Sequence, residues 1–240
     1  YKAFTDYLLK SHLFKKPYMT TKDTQVSGLI LAGGRATRMG GIDKGLQVFK
    51  NKALVQWTLD LLQNQVATVY INANRSIEEY EQLGCTVLKD TLEGYLGPLA
   101  GMLAGLKQCP TPWLQITPCD TPFFPADLVA QLKQLATSQN TRIAMVASYS
   151  SQELSLKNCP VRQLDSYQVQ PVFCLIHQSL SASLENYLMA GKAKIETWAQ
   201  QENVAILEIG LSSHNALDFA NINSHAELAQ MNEQISQLVN

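Results

Sequence analysis

The residues best suited to chemistry lie in one glycine-rich stretch, residues 31–45, which reads LAGGRATRMGGIDKG. Its glycines leave room for backbone N–H groups to close on an anion. Arg35, Arg38 and Lys44 stand among these glycines, and each side chain can face phosphate oxygens. The spacing matches neither the P-loop nor the dinucleotide-binding fingerprint, so neither of those classes follows. The stretch predicts a phosphate-binding loop; a glycine-rich connection with solvated cations is the alternative.

A carboxylate boxed by two prolines is the second candidate. Asp120 follows the apolar run 113–117, and Pro118 and Pro122 restrict the backbone around it. Because Mg²⁺ takes one or two carboxylates together with phosphate oxygens, Asp120 is predicted to be a metal ligand. The alternative role is an N-cap for the following helix.

Three charged residues of the glycine-rich stretch have separate expected roles. Lys44 is predicted to place a point charge on phosphates or on charge that develops during group transfer. Arg38 is expected to assist at the same phosphates. Asp43 has the simpler expected role of pairing with a neighbouring cation.

The elements around these residues predict a parallel sheet. The apolar run 26–31 leads directly into the glycines, as a buried parallel strand does. Strand and helix patterns then alternate as far as Pro122, which is the doubly wound arrangement with right-handed connections. We therefore expect a single α/β domain over residues 26–240, with a mostly parallel sheet and helices on both faces.

Ligands of doubly wound sheets bind beyond the carboxyl ends of the strands. Four residues each follow a different predicted strand: Gly33, Asn72, Asp90 and Asp120. They are therefore expected to converge at one edge. Asn72 and Asp90 offer acceptors for a base or a ribose, or else they are turn residues.

The remaining pattern predicts the other elements. Strands are predicted at 46–49, 67–73, 85–88, 113–117, 142–148, 170–176 and 204–209. Helices are predicted at 53–65, 77–83, 99–108, 127–136, 181–188, 194–201 and after residue 223. The polar, poorly periodic segment 150–167 is predicted to be a loop or a hairpin. Residues 1–25 mix lysines and aromatic residues without periodicity, and they are expected to be an extension outside the core.

Composition argues against several classes of protein. A net charge of −1, with 16% charged residues, does not suit a surface for nucleic acid. No apolar run approaches the length that spans a bilayer and no signal peptide is recognised, so we expect a cytoplasmic protein without membrane partners. The five cysteines are scattered without a Cys-x-x-Cys motif, which favours free thiols.

Three pieces of the glycine-rich stretch also carry a family resemblance: Leu-Ala-Gly-Gly, Arg-Met-Gly-Gly and Asp-Lys-Gly. Together they resemble the signature loop of the molybdenum cofactor guanylyltransferases (MobA family), nucleotidyltransferases of the glycosyltransferase-A-like fold. The match is dense over residues 26–122 and looser at the Asn-x-Asn pair of Asn221 and Asn223.

The resemblance implies that GMP is transferred from GTP to the terminal phosphate of molybdenum-bearing molybdopterin, with Mg²⁺ as cofactor and release of diphosphate. It assigns catalysis to Lys44, Asp120 and Arg38. It assigns nucleotide contacts to Leu31, Ala32, Gly33, Gly34, Lys44, Asn72, Asp90 and Asp120. It assigns weaker contacts with the acceptor to Gln170, Pro171, Asn221 and Asn223. Molybdenum-insertion proteins and molybdoenzyme chaperones are the further partners that it implies, and a monomer is expected.

Two alternatives stay open. Another Mg²⁺-dependent nucleotidyltransferase would use CTP with molybdopterin, or act on a sugar phosphate. Sugar-nucleotide enzymes usually carry Gly-x-Gly-Thr-Arg, and the residues from Arg35 to Arg38 lack that second glycine. A non-catalytic GTP-binding adaptor would tend to lose Lys44 or Asp120, and both are present. The sequence leaves the delivery partners and the choice between Mg²⁺ and Mn²⁺ open.

Overall fold

The computed structural model describes residues 22–33, 43–92, 97–157, 159–213, 215–222, 224, 226–231 and 233. Within these ranges, no helix combines the length and the apolar character that crossing a membrane requires. All five cysteines are free, as the sequence predicts.

The described residues form strands and helices that alternate along most of the chain. The strands are β1 (Val26–Leu31), β2 (Val48–Phe49), β3 (Lys52–Ala53), β4 (Val69–Asn72), β5 (Thr86–Leu88), β6 (Trp113–Pro118), β7 (Ile143–Ser150), β8 (Gln168–His177) and β9 (Ala205–Leu211). The α-helices are α1 (Leu54–Leu62), α2 (Ile77–Glu81), α3 (Pro98–Gln108), α4 (Leu128–Ser138), α5 (Ser151–Lys157), α6 (Ser181–Met189) and α7 (Ile195–Gln201). Short 3₁₀ turns occur at Lys44–Leu46, Val161–Gln163 and Gln178–Leu180. Residues 226–231 are helical.

Seven of the strands form one sheet in the order β5-β4-β1-β6-β8-β7-β9. The pairs β4–β5, β1–β4, β1–β6 and β7–β9 are parallel, whereas β8 is antiparallel to both of its neighbours. Strands β2 and β3 form a separate antiparallel hairpin. The predicted mostly parallel α/β sheet is therefore confirmed.

Alternate residues of the strands pack into different apolar clusters. In β1, Ile30 belongs to a cluster that includes residues of α1 and α4. Its neighbour Leu29 belongs to a second cluster, which includes residues of α3, α6 and α7. Because successive side chains of a strand point to opposite faces, the helices cover both faces of the sheet. This arrangement also matches the prediction.

A smaller cluster ties the C-terminal segment to one edge of the sheet. Its buried members are Phe49, Leu54, Phe123, Leu217, Ile222 and Met231. The N–H of Phe219 donates to the carbonyl of Phe123 at 2.9 Å, and that of Ile222 donates to the carbonyl of Asp120 at 2.8 Å. The C-terminal segment therefore holds the turn that carries Asp120.

The prediction for residues 150–167 is wrong. This segment contains helix α5 and a 3₁₀ turn instead of a plain loop or a hairpin. Helix α5 buries none of its residues; its Glu153 carboxylate instead accepts the N–H groups of Asp165 at 2.9 Å and Ser166 at 3.0 Å. Since polar contacts of this kind leave no apolar period in the sequence, the helix could not be read from periodicity.

The structure differs from two other predictions at the boundaries of the predicted segments. The predicted strand 46–49 is a 3₁₀ turn followed by the short strand β2. Asp23, assigned to the extension, forms an ion pair with Lys133 at 2.6 Å, and the Gln25 carbonyl accepts the N–H of Trp113 at 3.2 Å. The residues that contact the domain therefore begin before Val26. Residues 1–21 lie outside the described ranges, so their exclusion from the core stays a prediction.

Helix α3 approaches β4 at a glycine. A Cβ added at Gly101 would overlap the amide oxygen of Asn72 and lie 2.9 Å from a methyl of Leu31. Further along α3, a Cβ at Gly105 would meet methyl groups of Leu29 and Leu114, each at 2.7 Å. The first contact involves a hydrogen-bonded amide and the second only the ends of aliphatic side chains.

We expect Gly101→Ala to destabilise the protein because the Asn72 amide must move. Overpacking of this kind costs about 1–3 kcal/mol, which lowers the melting temperature of a domain of this size by about 2–10 °C. Gly105→Ala is the matched control in the same helix, and its loss should be smaller because methyl groups can rotate away. A thermal melt in which Gly101→Ala equals or exceeds the parent would contradict this interpretation of the contact.

Burial of Asp218 predicts a pH-dependent stability. Asp218 is 5% exposed, and this burial raises its carboxyl pKa from 3.8 to about 7. Between these two pKa values the folded protein keeps a proton on Asp218 that the unfolded chain has lost. The free energy of unfolding is therefore not lowered by this group below about pH 4, and it falls as the pH rises from there through 7. The penalty reaches on the order of 4 kcal/mol.

Asp218→Asn removes this titration, because an amide stays neutral. We expect the melting temperature of the variant, measured relative to the parent, to be higher at pH 8 than at pH 4.5. Other titrating groups are common to both proteins and cancel in the difference. An offset that is constant between these two pH values would show that Asp218 is not desolvated in its ionised form.

Candidate active site

The carboxyl ends of the central parallel strands form one row. Leu31 of β1 pairs with Asn72 of β4 on one side and with Pro118 of β6 on the other. Asn72 in turn pairs with Leu88 of β5. The row brings three of the predicted site residues to one edge of the sheet: Gly33, Asp90 and Asp120. The convergence that the sequence predicts is therefore present.

Backbone hydrogen bonds continue one residue past this row. The N–H of Ala32 donates to the carbonyl of Asn72 at 2.8 Å, and the N–H of Cys119 donates to the carbonyl of Leu31 at 3.1 Å. Leu31 and Ala32 are thus fixed as part of the sheet. The Leu31 carbonyl already accepts one hydrogen bond, from Cys119, which leaves it one further acceptor position.

The Asp90 carboxylate is held by two asparagines at the end of β4. The amide of Asn72 donates to Asp90 Oδ1 at 2.9 Å, and the amide of Asn74 donates to Asp90 Oδ2 at 2.8 Å. The Asn74 oxygen accepts the backbone N–H of Asp90 at 3.0 Å. A carboxylate oxygen accepts more than one hydrogen bond, so each oxygen of this half-buried group keeps acceptor capacity for a ligand.

Asn72 is itself buried, with 4% of its surface exposed. Its N–H groups are engaged by Asp90 and by the carbonyl of Leu88 at 3.1 Å. Its oxygen lies against the backbone of Gly101 and near Gly33, where an added Cβ would be 3.3 Å away. The structure therefore places Asn72 behind Asp90, and a direct nucleotide contact by its amide stays a prediction.

Lys44 and Asp120 face each other at the same edge. Lys44 begins the 3₁₀ turn Lys44–Leu46, and its Nζ lies 3.5 Å from Asp120 Oδ2. Both side chains are partly exposed, at 31% and 18% respectively. The fully buried Thr121 places its hydroxyl 3.4 Å from Asp120 Oδ1 and also hydrogen-bonds the amide oxygen of Asn221. A cation and a supported carboxylate are thus available to a polyphosphate together.

The donor set at this edge fits a metal that is shared with a substrate. In the described ranges, no group of three or more His, Cys, Asp or Glu residues is arranged to hold a metal ion. Mg²⁺ is commonly held by one or two carboxylates together with substrate phosphates, and the Asp120 carboxylate suits that mode. A metal cage made of protein ligands alone does not fit these residues.

The thiol beside Asp120 is not a nucleophile. Cys119 is buried, and this burial raises the pKa of its thiol well above the usual value. The thiol therefore stays protonated at neutral pH, and the reactive thiolate is not formed there.

The expected cation partner of Asp43 is Arg75. The Arg75 guanidinium contacts Asp43 Oδ1 through Nε at 2.8 Å and through a terminal nitrogen at 2.5 Å. The pairing predicted for Asp43 is therefore confirmed. Arg75 follows Asn74 directly, so the polar tail of β4 contacts both Asp90 and Asp43.

The candidates for the acceptor lie on two elements. Strand β8 is antiparallel to β6, with Cys174 opposite Ile116, so its beginning lies toward the carboxyl edge of β6. Gln170 is buried there, and its amide donates to Ser148 Oγ at 3.1 Å. Pro171 lies where the pairing with β7 shifts register, which suits a residue without an N–H. Asn221 is exposed and contacts Thr121.

Three predicted site residues lie outside the described ranges: Gly34, Arg38 and Asn223. Conversely, Asn74, Arg75 and Thr121 contact predicted site residues but were not among the candidates from the sequence. Asn74 and Arg75 could have been found from the sequence, because with Asn72 they form a run of polar residues within four positions at the end of a parallel strand. Thr121 carried no signal, since its role depends on a contact with the distant Asn221.

Several solved structures share this fold, and two of them illustrate the likeness. Molybdopterin-guanine dinucleotide biosynthesis protein A from Archaeoglobus fulgidus superposes with a TM-score of 0.65 at 19% identity, covering 88% of this chain and 99% of that one. The 2-C-methyl-D-erythritol 4-phosphate cytidylyltransferase from Thermus thermophilus gives a TM-score of 0.60 at 20% identity, covering 90% and 99%. Identities this low establish the fold and leave the substrate undecided.

Similarity of sequence is more specific. A family model described as the MobA-like NTP transferase domain matches residues 28–205. The molybdenum cofactor guanylyltransferase of Acidovorax ebreus (strain TPSY) is 46% identical over 203 residues, which cover 85% of this chain and 93% of that relative. The chain therefore belongs to the MobA-like nucleotidyltransferases, the family of the molybdenum cofactor guanylyltransferases.

Proposed function

We propose that this protein transfers GMP from GTP to the terminal phosphate of molybdenum-bearing molybdopterin and releases diphosphate, forming the guanine dinucleotide cofactor. The observation that carries the proposal is the set of charged groups at one sheet edge, a clamped Asp90 carboxylate and the facing Lys44 and Asp120. Membership of the family supplies the class of reaction. We assign separate roles at this edge to the groups for the base and for the phosphates.

Asp90 is the group that we assign to the base. Guanine presents N1–H and N2–H₂ as adjacent donors, and a carboxylate held from behind by Asn72 and Asn74 offers two acceptor oxygens toward them. Adenine has an acceptor at N1 and would face the same carboxylate with repulsion. Because both oxygens are fixed by amides before the ligand arrives, little ordering is required on binding.

Lys44 is the group that we assign to the phosphates. Its ammonium lies 3.5 Å from Asp120, so it is already placed at the edge where the triphosphate must pass. A point charge there neutralises oxygens around the attacked phosphorus and stabilises charge that develops on the diphosphate leaving group. Arg38, from the glycine-rich stretch, is proposed to assist it.

Asp120 is proposed to hold the divalent metal, taken here as Mg²⁺, which when bound neutralises phosphate charge and orients the phosphate oxygens. The N–H of Ile222 donates to the Asp120 carbonyl and fixes the backbone that carries the carboxylate, while the Thr121 hydroxyl lies 3.4 Å from Oδ1. We therefore propose that Asp120, through the metal, and Lys44, through its ammonium, act on the triphosphate from the same edge.

The transfer itself needs placement more than covalent chemistry. We propose that the terminal phosphate of the pterin attacks the α-phosphorus in line, without an enzyme-bound intermediate, which agrees with the protonated state of Cys119. Gln170, Pro171, Asn221 and Asn223 are the proposed acceptor contacts. Molybdenum-insertion proteins and molybdoenzyme chaperones are proposed partners for supply and delivery, with the enzyme acting as a monomer.

Asp120→Asn should lower turnover by about a hundredfold or more, because one carboxylate contact with the metal is lost. The substitution preserves size, so the melting temperature should change little. Diphosphate release at saturating GTP, Mg²⁺ and molybdopterin measures the effect. Asp127→Asn is the matched control: Asp127 is exposed at the start of α4 and makes no side-chain cap hydrogen bond there, so asparagine should be tolerated. Activity of Asp120→Asn within a few-fold of the parent would remove Asp120 from the metal site.

GTP should bind in preference to ATP and CTP by about a hundredfold, because a site arranged to accept the guanine N1–H and N2–H₂ loses those hydrogen bonds with a base that lacks the two adjacent donors. Competition binding at equal Mg²⁺ measures the preference. Asp90→Asn should reduce it by removing one acceptor and the charge. Equal affinities for the three nucleotides would refute a guanine site, and a preference for CTP would place the protein with the cytidylyltransferases.

A further inference from the structure

Asp43 stands out among the buried charges of the described residues. Its side chain is 2% exposed, whereas that of its partner Arg75 is 43% exposed. Both of the guanidinium nitrogens that contact Asp43 reach Oδ1. Asp43 Oδ2 is buried and has no hydrogen-bond partner among the described residues. Within that part of the chain, the carboxylate is thus held by one oxygen only.

Stability alone does not account for this pair. Moving a carboxylate out of water is costly, and a buried ion pair often stabilises a protein no better than apolar residues of similar size. An acceptor without a partner adds to that cost. What an Arg–carboxylate pair supplies is a defined geometry between two segments of chain.

The two segments are the turn that carries Lys44 and the tail of β4. Asp43 immediately precedes Lys44, and its carbonyl accepts the N–H of Leu46 at 3.0 Å, so it also starts the 3₁₀ turn. Arg75 immediately follows Asn74, which holds Asp90. The ion pair therefore joins the backbone beside Lys44 to the strand end that presents the candidate base-binding carboxylate.

Packing fixes the next residue of the turn. A Cβ added at Gly45 would lie 2.9 Å from the hydroxyl of Tyr80 on α2 and 3.1 Å from Cβ of Cys119. Tyr80 is fully buried. The backbone on the C-terminal side of Lys44 is thus enclosed by α2 and by the residue before Asp120. Among the described residues, the Asp43–Arg75 pair supplies a contact on its N-terminal side.

We propose that Asp43 and Arg75 are positioning residues, whose half-buried ion pair sets the place of the Lys44 ammonium opposite Asp120 and acts on nucleotidyl transfer only through Lys44. The inference rests on the proposed function of this edge. It distinguishes Arg75 from a phosphate ligand: the guanidinium pairs with Asp43, and its contribution to transfer is expected in kcat and not in GTP binding.

A double-mutant cycle with Lys44 tests this directly. Arg75→Gln in the parent should lower kcat by about tenfold or more, with the KM for GTP changed by less than about threefold. In the Lys44→Ala background, where there is no ammonium to position, the same substitution should change kcat by less than about twofold. Single-turnover diphosphate release keeps the slow variants measurable.

Equal losses in both backgrounds would overturn the proposal, because Arg75 would then act independently of Lys44. A loss confined to the KM for GTP would also overturn it, because Arg75 would then bind the nucleotide itself. Arg142→Gln is the matched control: it breaks the Arg142–Glu202 pair at 3.3 Å, next to the start of β7, and should leave kcat unchanged. If Arg75→Gln does not fold, Asp43→Asn combined with Arg75→Gln replaces it, since that pair leaves no unpaired buried charge.

An NMR measurement that does not depend on enzyme turnover tests the positioning role separately from the proposed function. Reductive ¹³C-methylation of lysines gives Lys44 an NMR signal that is identified by its loss in Lys44→Ala. Arg75→Gln should shift that signal, and Arg142→Gln should not. A parent that releases no diphosphate from any nucleotide would refute the proposed function while this shift still reports on the pair. An unchanged Lys44 signal in Arg75→Gln would refute the positioning role.

Discussion

The parallel pairing of β1 with β4 and β6 is the constraint on which the candidate site depends. Because Leu31 pairs with Asn72 on one side and Pro118 on the other, three chain segments end at the same level. A shift of one residue in either pairing would turn every side chain of that strand to the opposite face. The apolar clusters on the two faces oppose such a shift, since Leu29 and Ile30 would exchange environments. The buried core thereby fixes where the polar residues at the edge can lie.

Behind the exposed groups of this edge lies a layer of residues that touch them. Asn72 and Asn74 hold Asp90, while Thr121 supports Asp120. These supports come from segments far apart in sequence, including the C-terminal segment at Asn221. A site built this way keeps its geometry before a ligand binds, so less binding energy is spent on ordering side chains. The same layer explains why glycines are needed at 101 and 45, where a Cβ would displace Asn72 or meet Tyr80.

Much of this arrangement could be predicted from sequence because it depends on local signals. Apolar runs that end in glycine or a polar residue indicated β1, β4, β5 and β6, and the carboxyl-edge rule then placed Asp90 and Asp120 at the same edge. Helix α5 could not be predicted, because Glu153 holds it through backbone contacts 12 and 13 positions away. The position of Asn72 behind Asp90 could not be predicted for a related reason. Its burial follows from the approach of α3 at Gly101, a tertiary contact that no local pattern announces.

A crystal structure with a non-hydrolysable GTP analogue and Mg²⁺ tests the central claim most directly. We expect the guanine edge to meet the Asp90 carboxylate, and the triphosphate to contact the Lys44 ammonium and a metal held by Asp120. We also expect the Asp43–Arg75 pair to stay intact in that complex. A nucleotide bound away from this edge, or a base that does not contact Asp90, would contradict this claim.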